Sequence, residues 1–285
     1  MMSQPARRFR ILSFVALAGC MAWPAFAHAV ALFALTNVNT IVEFESTAPG
    51  ILRIIPSLVG FGVGEDIVGI ALRPVDQHLY ALTKNAVNAG ALYTINISTG
   101  QATLVGVLTP ASGSSYTALS GTRFGIKFNP VADRLRLVSD NGANLRVVPT
   151  TAQVIADPIL NPGSPHVVGV AYTNSFAGAL ATTLYDIDST SDHLLIQNPP
   201  NNGTLNDVGG LGLTADDTVG FDIATLASVN YGFAALTDGA TTGSGLYSVN
   251  LITGGALLIG NIGTGSVPVI SMAADVDYIF SSGFQ

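Results

Sequence analysis

One short segment of the chain has aspartates at a spacing that is typical of the oxygen ligands of a bound cation. DIDSTSD, residues 186–192, contains Asp186, Asp188 and Asp192. Carboxylates at such spacing can surround Ca²⁺ in a calcium-binding loop. The alternative is an ordinary hairpin turn, because Asp188 aligns with Asn96 and Asn250 in similar segments. The segment also lacks the turn glycine and the downstream bidentate glutamate of an EF-hand loop.

A second segment concentrates charge. DRLRLVSDNGANLR carries three arginines and two aspartates, which are Asp133, Arg134, Arg136, Asp140 and Arg146. The three guanidinium groups can form an anion site, since their fork matches oxyanion geometry. The alternative is that Asp133 and Asp140 pair with the arginines across neighbouring strands.

Other polar residues lie on or at the ends of short apolar strands, each led by a glycine. These leader strands are GIALRP (69–74), GIKFNP (125–130), GVAYTN (169–174) and GFDIAT (220–225). If they line a central channel, its mouth is the expected ligand site. The candidate ligand-binding residues there are Arg73, Lys127, Asn129, Asn174 and Asp222. The alternative is that these side chains satisfy one another and ordered water.

Residue patterns for nucleophilic or zinc chemistry do not stand out. There is no G-x-S-x-G elbow at a strand-to-helix turn, and Cys20 is the only cysteine. The four histidines, His28, His78, His166 and His193, lack the spacing of zinc ligands. We therefore predict no catalytic residues and no cofactor, with Ca²⁺ at DIDSTSD as the open alternative.

The leader strands belong to a repeat. LYTINISTGQATLVG (92–106) returns as LYSVNLITGGALLIG (246–260), and each copy reads as two strands around a turn. A second kind of strand, LYALT at 79–83, recurs at 135–139 and 232–236, and further hairpins are predicted at 145–157 and 184–197. A leader, a second strand and a hairpin make four strands, which is one blade of a β-propeller.

The two ends of the chain complete a fifth blade. LFALT at 32–36 is a second-type strand without a leader, and the missing leader lies in VPVISMAAD at 267–275. Pairing them closes the ring and removes open sheet edges. The sequence thus predicts an all-β, five-bladed β-propeller of four-stranded blades, with residues 28–285 as a single domain. A β-sandwich is the alternative fold.

Several of these motifs resemble a known family. GIALRPVDQHLYALT, GTRFGIKFNPVADRLRLVSDNGANLRVVP, AYTNSF and LYDIDS…IQNPPNNGTL are similar to bacterial proteins of the domain-of-unknown-function 4394 family, over about residues 30–262. The resemblance implies an exported or surface protein and carries no activity with it. It also implies an acidic residue on the first two leader strands, where this chain has Ala71 and Lys127.

The first 27 residues have the features of a signal peptide. A basic start with Arg7, Arg8 and Arg10 precedes an apolar run over 11–23, and residues 25–27 (AFA) offer a cleavage site. We predict export to the periplasm, the medium or the cell surface. The alternative is a lipoprotein anchored through Cys20, because LAGC at 17–20 matches that pattern.

Charge limits the partners. Removing the first 27 residues takes three arginines away, so the net charge falls from −7 to −10. Such an acidic chain is a poor partner for nucleic acid, and no later stretch is apolar enough to span a membrane. We expect a monomer whose partner is a small ligand or another macromolecule.

Three kinds of function fit this sequence. The mixed set of Arg, Lys, Asn and Asp on the leader strands favours a non-catalytic binding or interaction module. A metal-assisted lactonase-like or hydrolase-like enzyme with its site at the channel mouth is the first alternative. A structural protein of the envelope or matrix is the second.

Overall fold

The computed structural model describes residues 29–239 and 242–275. Apart from one short 3₁₀ helix at Pro200–Asn202, the secondary structure of this part of the chain is β-strand, and no helix in it is long and apolar enough to cross a membrane. The strands are β1 (Ala31–Thr36), β2 (Ile41–Glu45), β3 (Arg53–Ile54), β4 (Glu65–Leu72), β5 (Leu79–Asn85), β6 (Gly90–Ile95), β7 (Ala102–Val107), β8 (Thr109–Pro110), β9 (Phe124–Asn129), β10 (Arg134–Ser139), β11 (Asn144–Val147), β12 (Gln153–Ala156), β13 (Val167–Tyr172), β14 (Leu184–Asp188), β15 (His193–Gln197), β16 (Leu205–Gly210), β17 (Ala215–Leu226), β18 (Val229–Asp238), β19 (Gly245–Val249), β20 (Ala256–Asn261) and β21 (Val269–Asp275).

The strands form five sheets, and the predicted five-bladed propeller is confirmed. Blade 1 has the order β21-β1-β2-β3, blade 2 is β4 to β7, blade 3 is β9 to β12, blade 4 is β13 to β16 and blade 5 is β17 to β20. Blade 3 also carries the two-residue strand β8, which pairs in parallel with β12. The leader strands β4, β9, β13, β17 and β21 are the innermost strands, and each packs against its two neighbours around the ring.

The ring closes as the repeat predicted. β1 and β21 pair antiparallel from Ala31 opposite Asp275 to Leu35 opposite Ser271. One blade therefore contains both ends of the described chain, and its hydrogen bonds join the first strand to the last. This pairing supplies the inner strand of blade 1 from the far end of the described chain.

Asparagines shape the hairpin turns of the repeat. The Asn96 side chain accepts hydrogen bonds from the N–H groups of Ser98 and Thr99, and Gly100 has the positive φ, 74°, expected of its place in the turn. Asn250 accepts from Ile252 and Thr253 in the same way. The two copies thus share their turn chemistry.

One hairpin lies elsewhere in its blade than predicted. Residues 184–197 were expected as the third and fourth strands, but β14 and β15 are the second and third strands of blade 4, and β16 is the fourth. The reason is that no separate LYALT-like segment follows leader β13, so Leu184–Asp188 pairs with the leader itself.

Apolar side chains fill the interfaces between neighbouring blades. Four of the five interfaces have a cluster of 12 to 16 buried apolar residues, whereas the cluster between blades 3 and 4 has six. The core of this protein is therefore divided among its blade interfaces, and one interface is much poorer in apolar packing than the others.

The predicted signal peptide, residues 1–27, and the lipidation candidate Cys20 lie outside the described residues. Export and the alternative of lipid anchoring stay predictions.

Candidate functional site

The middle of the ring axis is closed. A Cβ atom on Gly125 would lie 3.0 Å from the backbone nitrogen of Val170 and 3.1 Å from the carbonyl carbon of Gly169. A Cβ atom on Gly220 would lie 3.0 Å from the carbonyl carbon of Ser271. The cavity between these strands has a volume of about 10 Å³, room for one water molecule at most. The leader glycines therefore allow the inner strands to meet instead of lining an open channel.

This close approach predicts the effect of one methyl group. We expect Gly125→Ala to lower the free energy of unfolding by about 1–3 kcal/mol, because the new atom meets backbone that cannot rotate away. Chemical unfolding followed by circular dichroism measures the change. Gly255→Ala is the matched control, since its Cβ would lie 3.7 Å from the nearest atom outside its neighbours. Equal losses for the two variants would contradict the tight axis.

Two of the predicted site residues pair with each other beside the axis. Lys127 on β9 and Asp222 on β17 are 1% and 3% exposed. The Lys127 ammonium donates to the Met272 carbonyl at 2.9 Å and lies 2.9 Å from Asp222 Oδ2. Asp222 also accepts from the N–H of Ala274 at 2.6 Å. These contacts join blades 1, 3 and 5.

The other predicted mouth residues lie at the ends of the inner strands and are engaged locally. Arg73 donates to Asp133 at 2.8 Å and to Asp76 at 2.5 Å, and the hydrogen bond to Asp133 raises the pKa of Arg73 most. Asn129 accepts from two N–H groups of the following turn. Asn174 exchanges hydrogen bonds with Asn230 on blade 5. The five predicted residues do not converge on one pocket, and ligand binding by them stays a prediction.

The aspartates of DIDSTSD take three separate roles. Asp188 accepts from the N–H groups of Thr190, Ser191 and His166, whereas Asp192 accepts from the N–H of Ala215. Asp186 lies within the sheet and is fully buried. Within residues 29–239 and 242–275, no group of three or more His, Cys, Asp or Glu side chains is close enough together to hold a metal ion. Calcium binding at this turn stays a prediction.

The Asp186 carboxyl group has no hydrogen-bond partner on either oxygen among the described residues. Burial raises the pKa of Asp186 well above its usual range, and the opposing effect of Arg136 does not cancel this. The carboxyl group therefore holds its proton to a higher pH than an exposed aspartate does.

The expected pairing of Asp133 and Asp140 with the nearby arginines is wrong. Asp133 bonds to Arg73, and Asp140 accepts from the backbone N–H groups of Thr122 and Arg123. Asp157, on the segment after β12, pairs instead with Arg136 and Arg146. The physical reason is that Asp133 lies within reach of Arg73 on the neighbouring blade, and that Asp140 follows β10 beside the backbone N–H groups that precede β9.

A pocket of about 320 Å³ opens where the inner strands begin. All five inner strands, or the turns that lead into them, contribute to it, and we call it the axial mouth. Its lining includes two acidic groups, two basic groups, two amides and a hydroxyl, which are Asp66, Asp217, Lys84, Arg123, Asn37, Asn39 and Thr122. The floor is apolar, with Ile67, Val68, Phe124, Val168 and Ile270.

The charged groups of the axial mouth differ in the number of hydrogen-bond and ion-pair partners that the chain gives them. The Lys84 ammonium donates to the Gly121 carbonyl at 3.0 Å and lies 5.5 Å from the centre of the Phe124 ring. The Asp217 carboxylate accepts from Ser189 at 2.7 Å and lies 3.2 Å from His166 Nε2. Arg123 is half-buried, and its guanidinium has no hydrogen-bond or ion-pair partner in the part of the chain described. The N–H groups of the Arg123 guanidinium are therefore available to donate hydrogen bonds to a ligand in the axial mouth.

Sequence reasoning missed these residues, although a signal for them exists. The position three residues before each leader glycine is polar in all four copies: Asp66, Thr122, His166 and Asp217. Three of the four line the axial mouth, and His166 contacts the third. These four residues precede the glycine with which each leader motif begins, and so they lie outside the repeated pattern itself.

The model of the family described as a domain of unknown function, DUF4394, matches residues 40–273. None of the curated proteins matches the chain. Among solved structures, an auxiliary nutrient binding protein from Bacteroides ovatus is similar at 13% identity, with 72% of this chain and 56% of that chain covered and a TM-score of 0.41. Glutaminyl cyclase from Myxococcus xanthus is similar at 15% identity, with 78% and 97% covered and a TM-score of 0.40. A protein of unknown function from Bacteroides thetaiotaomicron is similar at 14% identity, with 84% and 61% covered and a TM-score of 0.47. The chain thus spans little more than half of the first of these proteins, and the likenesses carry no argument about function.

Proposed function

Because the chain belongs to the family described as a domain of unknown function, DUF4394, and this membership assigns no activity, we propose a function from the geometry: the protein is a non-catalytic binding module. Its site is the axial mouth, and its ligand is a small polar molecule with an anionic group. We further propose that it works outside the cytoplasm, after removal of residues 1–27.

The observation that carries this proposal is the free guanidinium of Arg123 in a pocket built by all five blades. A concave pocket with an apolar floor and a few convergent polar groups is the usual form of a small-molecule site. At about 320 Å³, the axial mouth is at the lower end of the size range of such sites.

The charges of the mouth indicate the chemistry of the ligand. Arg123 offers a planar fork that matches a carboxylate or another oxyanion. Asp66 and Asp217 provide acceptors for hydroxyl or ammonium groups elsewhere on the same ligand. A sugar acid or an amino acid has both kinds of group and is of suitable size.

A thermal-shift panel tests this proposal. We expect members of a series of sugar acids and amino acids to raise the melting temperature of the purified protein, since a ligand of the native state stabilises it by mass action. Arg123→Gln should weaken the affinity about tenfold or more, because it removes a charge-assisted hydrogen bond. Circular dichroism should follow unfolding in place of tryptophan fluorescence. The only tryptophan is Trp23, which lies in the predicted signal peptide.

Arg53→Gln serves as the matched control for Arg123→Gln, because Arg53 lies on outer strand β3 and pairs with Glu43. The proposal fails if no compound in the series raises the melting temperature. It fails equally if Arg123→Gln and the wild type respond alike. Arms with EDTA and Ca²⁺ test the calcium prediction separately, through a fall with EDTA that Ca²⁺ restores.

A further inference from the structure

The interface between blades 3 and 4 has polar groups where the other blade interfaces have apolar packing. Its apolar cluster has six buried residues, against at least twelve at each of the other four interfaces. A cavity of about 180 Å³ lies beside that cluster, and we call it the arginine pocket. It is lined by Asn129, Ala132, Arg134, Arg136, Arg146, Tyr172, Pro200 and Asn201.

Positive charge is concentrated in the arginine pocket. Eight lysines and arginines follow residue 27, and three of them line this one cavity. Arg134 and Arg136 project from the same face of β10, and Arg146 lies directly opposite Arg136 on β11. Like charges in such register repel one another unless acceptors separate them.

The chain supplies only part of the compensating negative charge. Asp157 accepts from Arg136 at 2.8 Å and from the Nε and Nη2 atoms of Arg146 at 2.8 and 2.7 Å. Arg134 donates to the backbone carbonyl of Asp133, and no carboxylate of the described residues pairs with it. Lys127, opposite Arg136 on β9, is neutralised by Asp222. Burial raises the pKa of Asp186, the remaining acidic neighbour of Arg136, well above its usual range.

Two buried donors in the wall of this cavity are without an acceptor in the described chain. Arg136 is 2% exposed, and its Nε atom has no hydrogen-bond partner. Tyr172 is 1% exposed, and its hydroxyl group has none either. Folded proteins leave few buried polar groups unsatisfied, since each one lowers stability. The donors of the pocket are therefore suited to an acceptor that comes from outside the chain.

We propose that the arginine pocket binds a small tetrahedral oxyanion, as inorganic phosphate or sulfate or as the terminal group of a small ester. Both Nη atoms of Arg136 bond to acceptors of the chain, and Arg146 bonds to Asp157. The donors left for a ligand are the Arg134 guanidinium, the Nε atom of Arg136 and the phenolic hydroxyl of Tyr172, and donors from several directions suit the four oxygens around one centre. The volume corresponds to about six water molecules at roughly 30 Å³ each, enough for such a group with a small substituent.

This site goes beyond the proposed function, because it lies at the opposite end of the inner strands. The axial mouth is formed where β9 and β13 begin, at Phe124 and Val168, whereas the arginine pocket is formed where they end, at Asn129 and Tyr172. Binding at one site can therefore be tested without reference to the other.

Isothermal titration calorimetry of the purified protein tests the proposal. Inorganic phosphate, sulfate and methyl phosphate are compared with acetate at one ionic strength. We expect the tetrahedral ions to bind at least tenfold more tightly than acetate. Arg134→Gln should weaken phosphate binding about tenfold or more, and Tyr172→Phe should weaken it severalfold, because each removes a donor. Tight binding of methyl phosphate would identify an ester as the natural form, and binding of the free ions alone would identify the ion.

Arg53→Gln is the matched control, since it removes an arginine from a different blade and should bind phosphate like the wild type. Arg134 is half-buried, and we expect its glutamine variant to keep the wild-type circular dichroism spectrum. Equal affinity for acetate and phosphate would overturn the proposal. So would unchanged phosphate affinity in both Arg134→Gln and Tyr172→Phe.

Discussion

Lys127→Met is expected to lower the free energy of unfolding by about 3–5 kcal/mol, the largest loss that we predict for a single side chain of this protein. The substitution preserves the straight, apolar part of the side chain and removes the ammonium group. Asp222 then remains buried with its charge and without the cation 2.9 Å away. Urea unfolding followed by circular dichroism measures the loss.

Lys84→Met is the matched control, because Lys84 is the only other lysine after residue 27 and is half-buried. Its loss should stay below about 1 kcal/mol, as for other partly exposed charges. Asp222→Asn combined with Lys127→Met should recover part of the stability, since it removes the unpaired charge. If Lys127→Met is as stable as the wild type, the buried pair does not join the blades.

Asp186→Asn is expected to stabilise the protein at pH 8 by about 1–3 kcal/mol, an unusual sign for a change in the core. An aspartate in the unfolded chain ionises near pH 3.9, but burial raises the pKa of Asp186 in the folded protein. The folded state therefore binds more protons between these two values, and wild-type stability falls as pH rises through that window. Asparagine cannot ionise, so the variant does not lose stability in this window. Its gain in the free energy of unfolding over the wild type should therefore be absent near pH 4 and grow as the pH rises.

Asp188→Asn is the matched control for this effect. Asp188 belongs to the same strand, but its oxygens accept three backbone hydrogen bonds, and an amide has only one oxygen to replace them. We expect Asp188→Asn to lower stability by about 0.5–2 kcal/mol at pH 8, the opposite sign. Unfolding curves of both variants from pH 4 to pH 8 make the comparison. A gain for Asp186→Asn that does not change with pH would contradict the raised pKa of the buried Asp186 carboxyl group.

Much of the architecture could be predicted because its signals are local. The turn at Asn96 and Gly100 depends on a side chain and a positive φ within five residues. Four leader glycines at similar intervals indicated the blades, and the incomplete repeat at each end indicated how the ring closes. The hairpin at 184–197 was placed wrongly because blade 4 departs from this local pattern. It lacks the separate second-strand segment that the repeat predicts.

The candidate sites were much less predictable, because their members come from different blades. Lys127 and Asp222 are 95 residues apart in sequence, and their pairing depends on two inner strands meeting at a closed axis. Asp133 lies next to Arg134 in sequence, yet it bonds to Arg73 on blade 2. Only the packing of one blade on the next determines which charge reaches which partner.

By itself, then, the sequence determined the elements of this protein: the strands, their turns, the number of blades and the blade shared by the two ends. These follow from spacing along the chain, since turn residues and apolar periodicity act over a few residues. The tertiary structure alone decided that the axis is closed, that Arg123 faces the axial mouth and that three arginines share one pocket with Tyr172. The physical reason is that close approach and unpaired buried donors are properties of surfaces in contact, and those surfaces exist only once the ring has closed.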